Sequence, residues 1–340
     1  MKRFLPLFLA LALLLTGCTA VSTTESTSQT VSQVDSPSSA LESAPESASS
    51  QLESVGEVSI TDSNGSQITL DTSAPRVVAA YGSFAEAWLL AGGELVGVTQ
   101  DALEQRDLGL PEDIAVVGTV KEPNAEEIIA LEPDLVLLAS DITAQADIRD
   151  VLENAGLACA FFQVDTFADY AFMMEQLCAV TGREDLYEEN VTQVGQQIEE
   201  AQANAALSST RPNVLLIRAF STGIKAKTDD ELAGAILKDL GAHNIADDHP
   251  SMLEDLSLEE VIAADPDYIF VTTMGDEQKA LDYLNCLIQQ NPAWSELSAV
   301  KEDRYIVLPK DLFHYKPNNR WGESYQYLGE ILYPELFHEE

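Results

Sequence analysis

The 340-residue sequence is poor in positive charge and in histidine. It carries 18 Lys and Arg against 57 Asp and Glu, which gives a formal net charge of −39. So acidic a chain is unsuited to binding nucleic acid or an acidic lipid surface. The four histidines are scattered, without an H-x-H pair or a matched carboxylate spacing, which argues against a site for bare zinc or manganese.

Cysteine is scarce as well. Apart from Cys18 there are three, Cys159, Cys178 and Cys286, and their spacing is not that of a metal site. An odd number does not suit a disulfide framework, so we expect buried thiols. A bridge between Cys159 and Cys178 stays open as an alternative.

Short enzyme motifs are also missing. The sequence contains no G-x-S-x-G, no P-loop and no glycine-rich dinucleotide fingerprint. Acidic pairs are frequent because the chain is acidic, and none stands in a loop that suggests paired catalytic carboxylates. We therefore expect a protein that is not an enzyme and has no cofactor.

The N-terminus contains the one apolar run with a targeting pattern. Lys2 and Arg3 precede an apolar stretch, 5–15, that is too short to span a bilayer and has the layout of an export signal. Thr16 and Gly17 before Cys18 resemble a bacterial lipobox. We expect residues 1–18 to be a signal peptide and Cys18 to be lipidated, so that the protein lies outside the cytoplasm and is held to the membrane by lipid alone. An ordinary signal peptide with an incidental cysteine is the alternative.

Residues 19–55 consist mostly of Ser, Thr, Glu, Ala and Gln. Such a segment has too little apolar surface to offset the entropy of ordering, so we expect a disordered tether. The remaining chain is long enough for more than one domain.

Two stretches of this body repeat each other 133 residues apart. The stretch 123–140 reads PNAEEIIALEPDLVLLAS, and 256–273 reads LSLEEVIAADPDYIFVTT. Each predicts a capped helix with acidic residues in its first turn, a Pro-Asp turn and a buried strand. A repeat at this distance indicates two similar lobes rather than a solenoid.

The rest of the body fits two such lobes. Strand and helix patterns alternate from 56 to 182 and again from 209 to 340, which predicts α/β lobes with parallel sheets. Residues 183–208 have no strong turn signal and predict a single long helix between the lobes.

These features together resemble the helical-backbone substrate-binding lipoproteins of ABC importers, which deliver ferric siderophores, haem or cobalamin to a permease. The resemblance covers about residues 75–335 and includes RVVAAYGSFAEAWLLAGGELVGVT and NPAWSELSAVKEDRYIVLP. It implies two Rossmann-like lobes joined by a rather rigid helix, with the ligand in the cleft between them, and a monomer that works with a permease dimer and its ATPase. It also implies that Glu126 and Glu259 are the permease-docking pair, whereas helix stabilisation alone is the alternative for both glutamates.

The loops that follow the predicted strands are expected to line the cleft. The predicted ligand-binding residues are Tyr81, Ser83, Phe84, Lys121, Arg218, Phe220, Lys225, Met274, His314, Tyr315, Lys316 and Arg320. Because several cations cluster in the second half of so acidic a chain, we expect an anionic metal chelate, with a ferric siderophore first, haem second and cobalamin third. Direct ligation of haem iron by His314 is an alternative to its being a surface-loop residue. A sensor or adhesin on the same fold is the non-transport alternative.

Overall fold

A computed structural model of the chain describes residues 57–254 and 256–337. The predicted signal peptide with Cys18 and the predicted tether, 19–55, lie outside the described residues. Within them, no helix has both the length and the apolarity needed to cross a membrane.

The first lobe is built on a five-stranded parallel sheet. Its strand order is β5-β4-β3-β8-β9, and two short antiparallel hairpins, β1-β2 and β6-β7, flank it. The strands of this lobe are β1 Val58–Thr61, β2 Gln67–Leu70, β3 Val77–Ala79, β4 Leu95–Val98, β5 Ala115–Val116, β6 Gly118–Thr119, β7 Glu122–Pro123, β8 Leu135–Ala139 and β9 Ala158–Phe162. Its helices are α1 Gly82–Leu90, α2 Asp101–Glu104, α3 Ala125–Ala130, α4 Thr143–Asp147, α5 Arg149–Asn154 and α6 Phe167–Thr181. Every residue of β3 and β8 is buried, as a strand covered on both faces requires.

A helical segment runs from Glu184 to Ala205 between the lobes. It consists of α7 Glu184–Tyr187, a π-helical turn Glu188–Thr192 and α8 Gln193–Ala205. Within α8 the buried residues Val194, Ile198, Ala201 and Ala205 recur at intervals of three or four, so a single stripe of the helix packs against the body.

The second lobe contains a mixed five-stranded sheet of order β11-β10-β13-β14, with β12 paired to β10. Its strands are β10 Asn213–Phe220, β11 Gly223–Lys227, β12 His243–Asn244, β13 Tyr268–Thr273 and β14 Tyr305–Val307. Its helices are α9 Leu232–Asp239, α10 Ser251–Glu254, α11 Leu258–Ala264, α12 Glu277–Gln290, α13 Ser298–Lys301, α14 Lys310–Phe313, α15 Trp321–Leu332 and α16 Pro334–Phe337, with 3-10 turns at Ile245–Asp247, Pro292–Glu296 and Asn318–Arg320. Two α/β lobes joined by a helix are therefore confirmed.

One edge of this second sheet differs from the prediction. The strand β11 turns back on β10 after only two residues, Ser221 and Thr222, so the pair is antiparallel. A two-residue connection allows only a hairpin, because a parallel partner needs a crossover of a dozen or more residues.

The sequence repeat has the same backbone geometry in both lobes. Glu132 and Asp265 stand at corresponding positions and have positive φ angles of 47° and 41°, which end helices α3 and α11 before the Pro-Asp turn. The aspartates of those turns bind the start of each lobe's first sheet strand: Asp134 Oδ2 accepts from the Arg76 N–H at 2.7 Å, and Asp267 Oδ2 accepts from the Asn213 N–H at 2.8 Å. The repeated aspartate thus joins the turn to the neighbouring strand in each lobe.

The apolar core is continuous between the lobes. One buried cluster extends from Leu137 in β8 through Ile198 in α8 to Leu216 in β10 and Trp321 in α15. The thiols of Cys159 and Cys178 are free and buried, and that of Cys286 is free and exposed. Cys159 and Cys178 are therefore buried thiols, as predicted, and form no bridge with each other, whereas the prediction of a buried thiol is wrong for Cys286, which is exposed on helix α12.

Candidate functional site

A cleft of about 720 Å³ lies between the two lobes. Its walls are formed where the chain leaves the carboxyl ends of the strands: Tyr81 after β3, Asp141 after β8, Phe220 at the end of β10 and Met274 after β13. This is the position at which α/β sheets bind ligands, since the loops there converge and expose polar groups.

Gln145, which the sequence analysis did not single out, holds three of these loops together. Its side chain is completely buried, and its Oε1 accepts from the Ala139 N–H at 2.7 Å. Its Nε2 donates to the carbonyl oxygens of Ala80 and Val120, at 2.7 and 3.1 Å. The side-chain amide of Gln145 therefore positions the loops that carry Tyr81, Lys121 and Asp141. Sequence periodicity could not reveal this role, because the hydrogen bonds join residues from three separate elements.

Most of the residues predicted to bind the ligand face the cleft. Eight of the twelve line it: Tyr81, Lys121, Arg218, Phe220, Met274, His314, Tyr315 and Lys316. Sequence position after a strand was the useful signal, because it fixes which edge of the sheet a residue occupies.

The other four do not line the cleft. Ser83 and Phe84 are each 1% exposed, because α1 begins at Gly82 and turns both side chains inward. Lys225 is exposed on the edge strand β11. Arg320 is bound in a surface cluster, where it donates to Asp311 at 2.7 Å and to Glu323 at 2.8 Å, and these bonds raise its pKa.

The cleft is less cationic than the sequence suggests. Its lining contains four Lys or Arg side chains and five carboxylates: Lys121, Arg218, Lys310 and Lys316, with Asp101, Asp141, Asp165, Asp230 and Glu231. Glu231 pairs with both Arg218 and Lys227, and Asp165 accepts from the Lys316 Nζ at 3.2 Å. Burial opposes the ionisation of Asp165, but hydrogen bonds from Gln163 and Lys316 outweigh it and lower the pKa of Asp165. The predicted excess of positive charge in the cleft is therefore largely neutralised. A count of Lys and Arg along the sequence could not show which carboxylates pair with them.

The charges are divided unevenly between the two walls. On the first-lobe side Lys121 stands with Asp101, Asp141 and Asp165, whereas the second-lobe side carries Arg218, Lys310 and Lys316 with Asp230 and Glu231. We call these sets of residues the acidic wall and the basic wall.

Aromatic and imidazole rings form the remaining contact surface. Tyr81 packs edge-on against Phe84 with ring centroids 5.3 Å apart, and burial raises the pKa of Tyr81 to about 12. His314 and Tyr315 lie 5.3 Å apart, and the His314 Nδ1 is buried without a hydrogen-bond partner among the described residues. Burial, reinforced by Arg218, Lys310 and Lys316, lowers the pKa of His314 to about 4, so this ring is neutral at pH 7.

Acidification is expected to destabilise the fold through His314. Between pH values of about 6.5 and 4 the unfolded chain binds a proton at this residue and the folded chain does not, so the free energy of unfolding falls as the pH falls through that range. Compared with a His314→Gln variant, the wild type should lose on the order of 2 kcal/mol more between pH 7 and pH 4.5. Urea unfolding at both pH values measures this difference, and identical pH dependence of the two proteins would exclude it.

The segment after His314 is bonded to the first lobe. Arg106 Nη2 donates to Ser83 Oγ at 2.9 Å and to the Lys316 carbonyl oxygen at 2.8 Å, while its Nη1 pairs with Glu86. Asn318 Nδ2 donates to the Ser83 carbonyl oxygen at 2.9 Å and to Glu86 at 2.6 Å. We call these five residues the interlobe clamp.

The predicted docking glutamates occupy matching surface positions. Glu126 and Glu259 are exposed in the first turns of α3 and α11. A helix that precedes a parallel strand runs against it, so these first turns lie at the carboxyl edge of each sheet, the edge that faces the cleft. The glutamate that follows Glu259, Glu260, accepts a hydrogen bond from the Ser251 hydroxyl at 3.1 Å.

Within the described residues, no group of three or more His, Cys, Asp or Glu side chains is arranged to hold a metal ion. The chemistry that the cleft offers is non-covalent contact: aromatic surface, hydrogen bonding and paired charges.

Several known proteins resemble this chain in sequence. The profile of the periplasmic binding protein family matches residues 77–312. The chain is 26% identical over 273 residues to the Fe(3+)-citrate-binding protein YfmC of Bacillus subtilis. The aligned region covers 77% of this chain and 82% of that protein. It is 22% identical over 226 residues to the high-affinity heme uptake system protein IsdE of Staphylococcus aureus, covering 66% of this chain and 76% of that protein.

Solved structures have the same fold. Staphylococcus aureus SirA, crystallised with staphyloferrin B, superposes with a TM-score of 0.62 at 20% identity, over 83% of this chain and 99% of that one. As the sequence resemblance predicted, the chain belongs to the periplasmic binding protein family.

Proposed function

We propose that the protein is the substrate-binding lipoprotein of an ABC importer, and that it captures a ferric-siderophore-type metal chelate between its lobes and delivers it to the permease. The observation that carries the proposal is the cleft of about 720 Å³ at the carboxyl edges of both sheets, with aromatic rings and a basic wall. A cleft of this size suits a small chelate. The relatives named for ferric citrate and heme binding support an iron-containing ligand.

Binding involves no chemical change in the ligand. Arg218, Lys310 and Lys316 face the anionic metal-binding groups of the chelate, and Tyr81, Phe220 and Tyr315 supply flat contact area. Lipidation of Cys18 anchors the exported chain, and the Ser/Thr-rich segment 19–55 lets the folded body reach a neighbouring permease.

Haem is the second candidate, because one observation favours it. The His314 ring lines the cleft beside Tyr315 and is neutral, and a neutral imidazole can ligate haem iron. Cobalamin ranks third, since the aromatic residues suit it but the basic wall adds little for a ligand of that kind.

The ligand class is tested by fluorescence titration of the purified protein. Ferric hydroxamate, ferric catecholate, ferric citrate, haemin and cyanocobalamin are compared, with each iron-free chelator as its matched control. We expect at least one ferric chelate to quench fluorescence with a dissociation constant of about 1 μM or lower, near −8 kcal/mol. Saturable binding of haemin alone, with an iron-ligand absorption band lost in His314→Ala, would replace the siderophore assignment with haem.

A further inference from the structure

The charges that line the cleft are largely committed to one another. Arg218 and Glu231 form an ion pair in which the two side chains are 15% and 16% exposed, and Glu231 also accepts from the Lys227 Nζ at 2.7 Å. Because separating a pair that is buried to this extent is costly, a ligand gains little by displacing Glu231 from Arg218. Arg218 therefore offers the cleft hydrogen-bond donors rather than an uncompensated positive charge.

Lys316 is neutralised in a similar way. Its side chain is 17% exposed, and its Nζ donates to Asp165 Oδ1 at 3.2 Å. Its carbonyl oxygen accepts from Arg106 in the interlobe clamp, which fixes the position of the residue. Lys310 donates from its Nζ to the Gly275 carbonyl oxygen at 2.6 Å. Within the described residues, Lys310 is the one cation of the basic wall that has no carboxylate partner.

Exposed carboxylates offset the cations that remain. In the described part of the chain, Lys121 and Lys310 line the cleft without a carboxylate partner, and Asp141 and Asp230 are exposed lining carboxylates without a cation. When Lys227 is included, five cations and five carboxylates surround the cleft. The cleft therefore has no excess of positive charge, in a chain whose net charge is −39.

A cleft of this kind discriminates between chelates by their net charge. Three hydroxamate groups neutralise ferric iron, whereas three catecholate groups leave three negative charges on the complex. A polyanion that enters the cleft loses hydration, meets Asp141 and Asp230, and finds no surplus of cations in compensation. A neutral chelate requires only hydrogen-bond donors and flat contact area, which Arg218, Lys310 and the aromatic rings supply.

We propose that the cleft selects ferric chelates of net charge near zero, of the trihydroxamate class, over polyanionic catecholate and carboxylate chelates. The inference rests on the proposed function and names the ligand class for the same site. Asp141 and Asp230 are the specificity-determining residues, because no cation offsets these two exposed carboxylates. The cations alone predict an anionic chelate, and their pairing in the folded chain changes that prediction to a neutral one.

The double variant Asp141→Asn/Asp230→Asn tests the role of these carboxylates. Asparagine keeps the size of the side chain and removes its charge, and its oxygen can still accept from the Thr228 hydroxyl, as Asp230 does at 2.8 Å. The matched control is Asp113→Asn/Asp282→Asn, which likewise removes one charge from each lobe, at exposed residues that do not line the cleft. Circular dichroism and a thermal melt verify that both variants fold.

Four probes are titrated into the wild type and both variants. Ferrichrome and ferrioxamine E are neutral trihydroxamates, and ferric enterobactin and ferric citrate are anionic; ferric citrate is included because a relative is named for it. We expect at least one trihydroxamate to bind the wild type at least tenfold more tightly than either anionic chelate, a difference of about 1.4 kcal/mol. Asp141→Asn/Asp230→Asn should tighten binding of the anionic chelates about tenfold and leave the trihydroxamates within about twofold, whereas the control variant should change neither.

Ionic strength provides a second measurement, which needs no variant. The affinity of the wild type for a trihydroxamate should stay within about twofold between about 0.05 M and about 0.5 M salt, because salt screens interactions between charges and this ligand carries no net charge. A polyanion captured by surplus cations would instead lose affinity steeply over this range.

The remaining outcomes are distinct. If the wild type prefers a catecholate or citrate chelate, or if its best ligand loses affinity steeply with salt, the inference is wrong and the proposed function stands. The same conclusion follows if the cleft variant and its control change the affinity for the anionic chelates equally. Should the cleft variant fail to fold, the preference of the wild type and its salt dependence still decide. If the wild type binds no ferric chelate at all, the proposed function itself fails.

Discussion

Reversing the charge of Glu126 and Glu259 together, to Lys at both positions, is expected to abolish ligand uptake by cells and to leave ligand affinity unchanged. Both side chains are exposed at matching positions, one per lobe, at the edge that faces the cleft. In the family that the sequence resembles, such a pair meets arginines of the permease dimer. Breaking a close charge pair at an interface costs about 2–5 kcal/mol, and reversal adds repulsion, so the loss at two sites removes docking.

The matched control is a double reversal elsewhere on the surface. Glu153→Lys and Glu335→Lys change the net charge by the same amount, on exposed residues of α5 and α16. Uptake of a labelled ferric chelate is measured together with the abundance of the protein in the membrane fraction. The second measurement also tests the proposed anchoring through Cys18. Equilibrium titration verifies that the cleft is intact. Normal uptake in the Glu126/Glu259 double variant would refute the docking role and leave both glutamates as helix-stabilising residues.

Replacing Arg106 with Met is expected to destabilise the protein by about 3 kcal/mol, because it leaves a partly buried anion, Glu86, without its cation. The side chains of Arg106 and Glu86 are 11% and 22% exposed, so solvent compensates little for the lost pair. The change also removes two hydrogen bonds: one to Ser83 within the first lobe, and one to the Lys316 carbonyl oxygen that joins the lobes. Urea unfolding measures the free-energy difference.

Arg183→Met provides the matched control for this variant. Arg183 pairs with Asp185 at the surface, where the two side chains are 47% and 65% exposed, and such solvent-screened pairs contribute little to stability. A second variant, Arg106→Met with Glu86→Gln, removes the stranded charge and should recover part of the stability. Equal stability of Arg106→Met and Arg183→Met would show that the clamp does not hold the lobes together.

The clamp bears on how the cleft opens. His314, Tyr315 and Lys316 reach the cleft from a segment that is bonded to the first lobe through Arg106 and Asn318. Asn318 is completely buried with a positive φ of 53°, a backbone conformation that neighbouring structure must maintain. A segment held from both lobes limits their relative movement.

Local pattern was sufficient for much of the fold. The repeated stretches predicted a capped helix, a Pro-Asp turn and a strand in each lobe. The side chains of Asn124 and Ser257 do cap α3 and α11, because they accept hydrogen bonds from the backbone N–H groups of Glu126 and Glu260. These are short-range interactions, encoded within a few residues. The antiparallel strand β11 was missed because its pairing follows from a two-residue turn without a strong hairpin signal.

The candidate site was predicted less completely, and the reason lies in distance along the chain. Position after a strand identified eight lining residues, but Ser83 and Phe84 were included wrongly as neighbours of Tyr81, since helix α1 begins there and buries both. Arg106, 210 residues away from the carbonyl group that it binds, carried no local signal.

By itself, the sequence determined the two α/β lobes, the bridging helix, the family and the edge of each sheet at which the cleft lies, because periodicity, caps and turns act between near neighbours. Only the tertiary structure decided which charges remain available in the cleft. Glu231 neutralises cations on β10 and β11, and Asp165 pairs with Lys316 across 151 residues. Electrostatic partners are chosen by proximity in space, and that proximity exists only after the lobes have folded against each other.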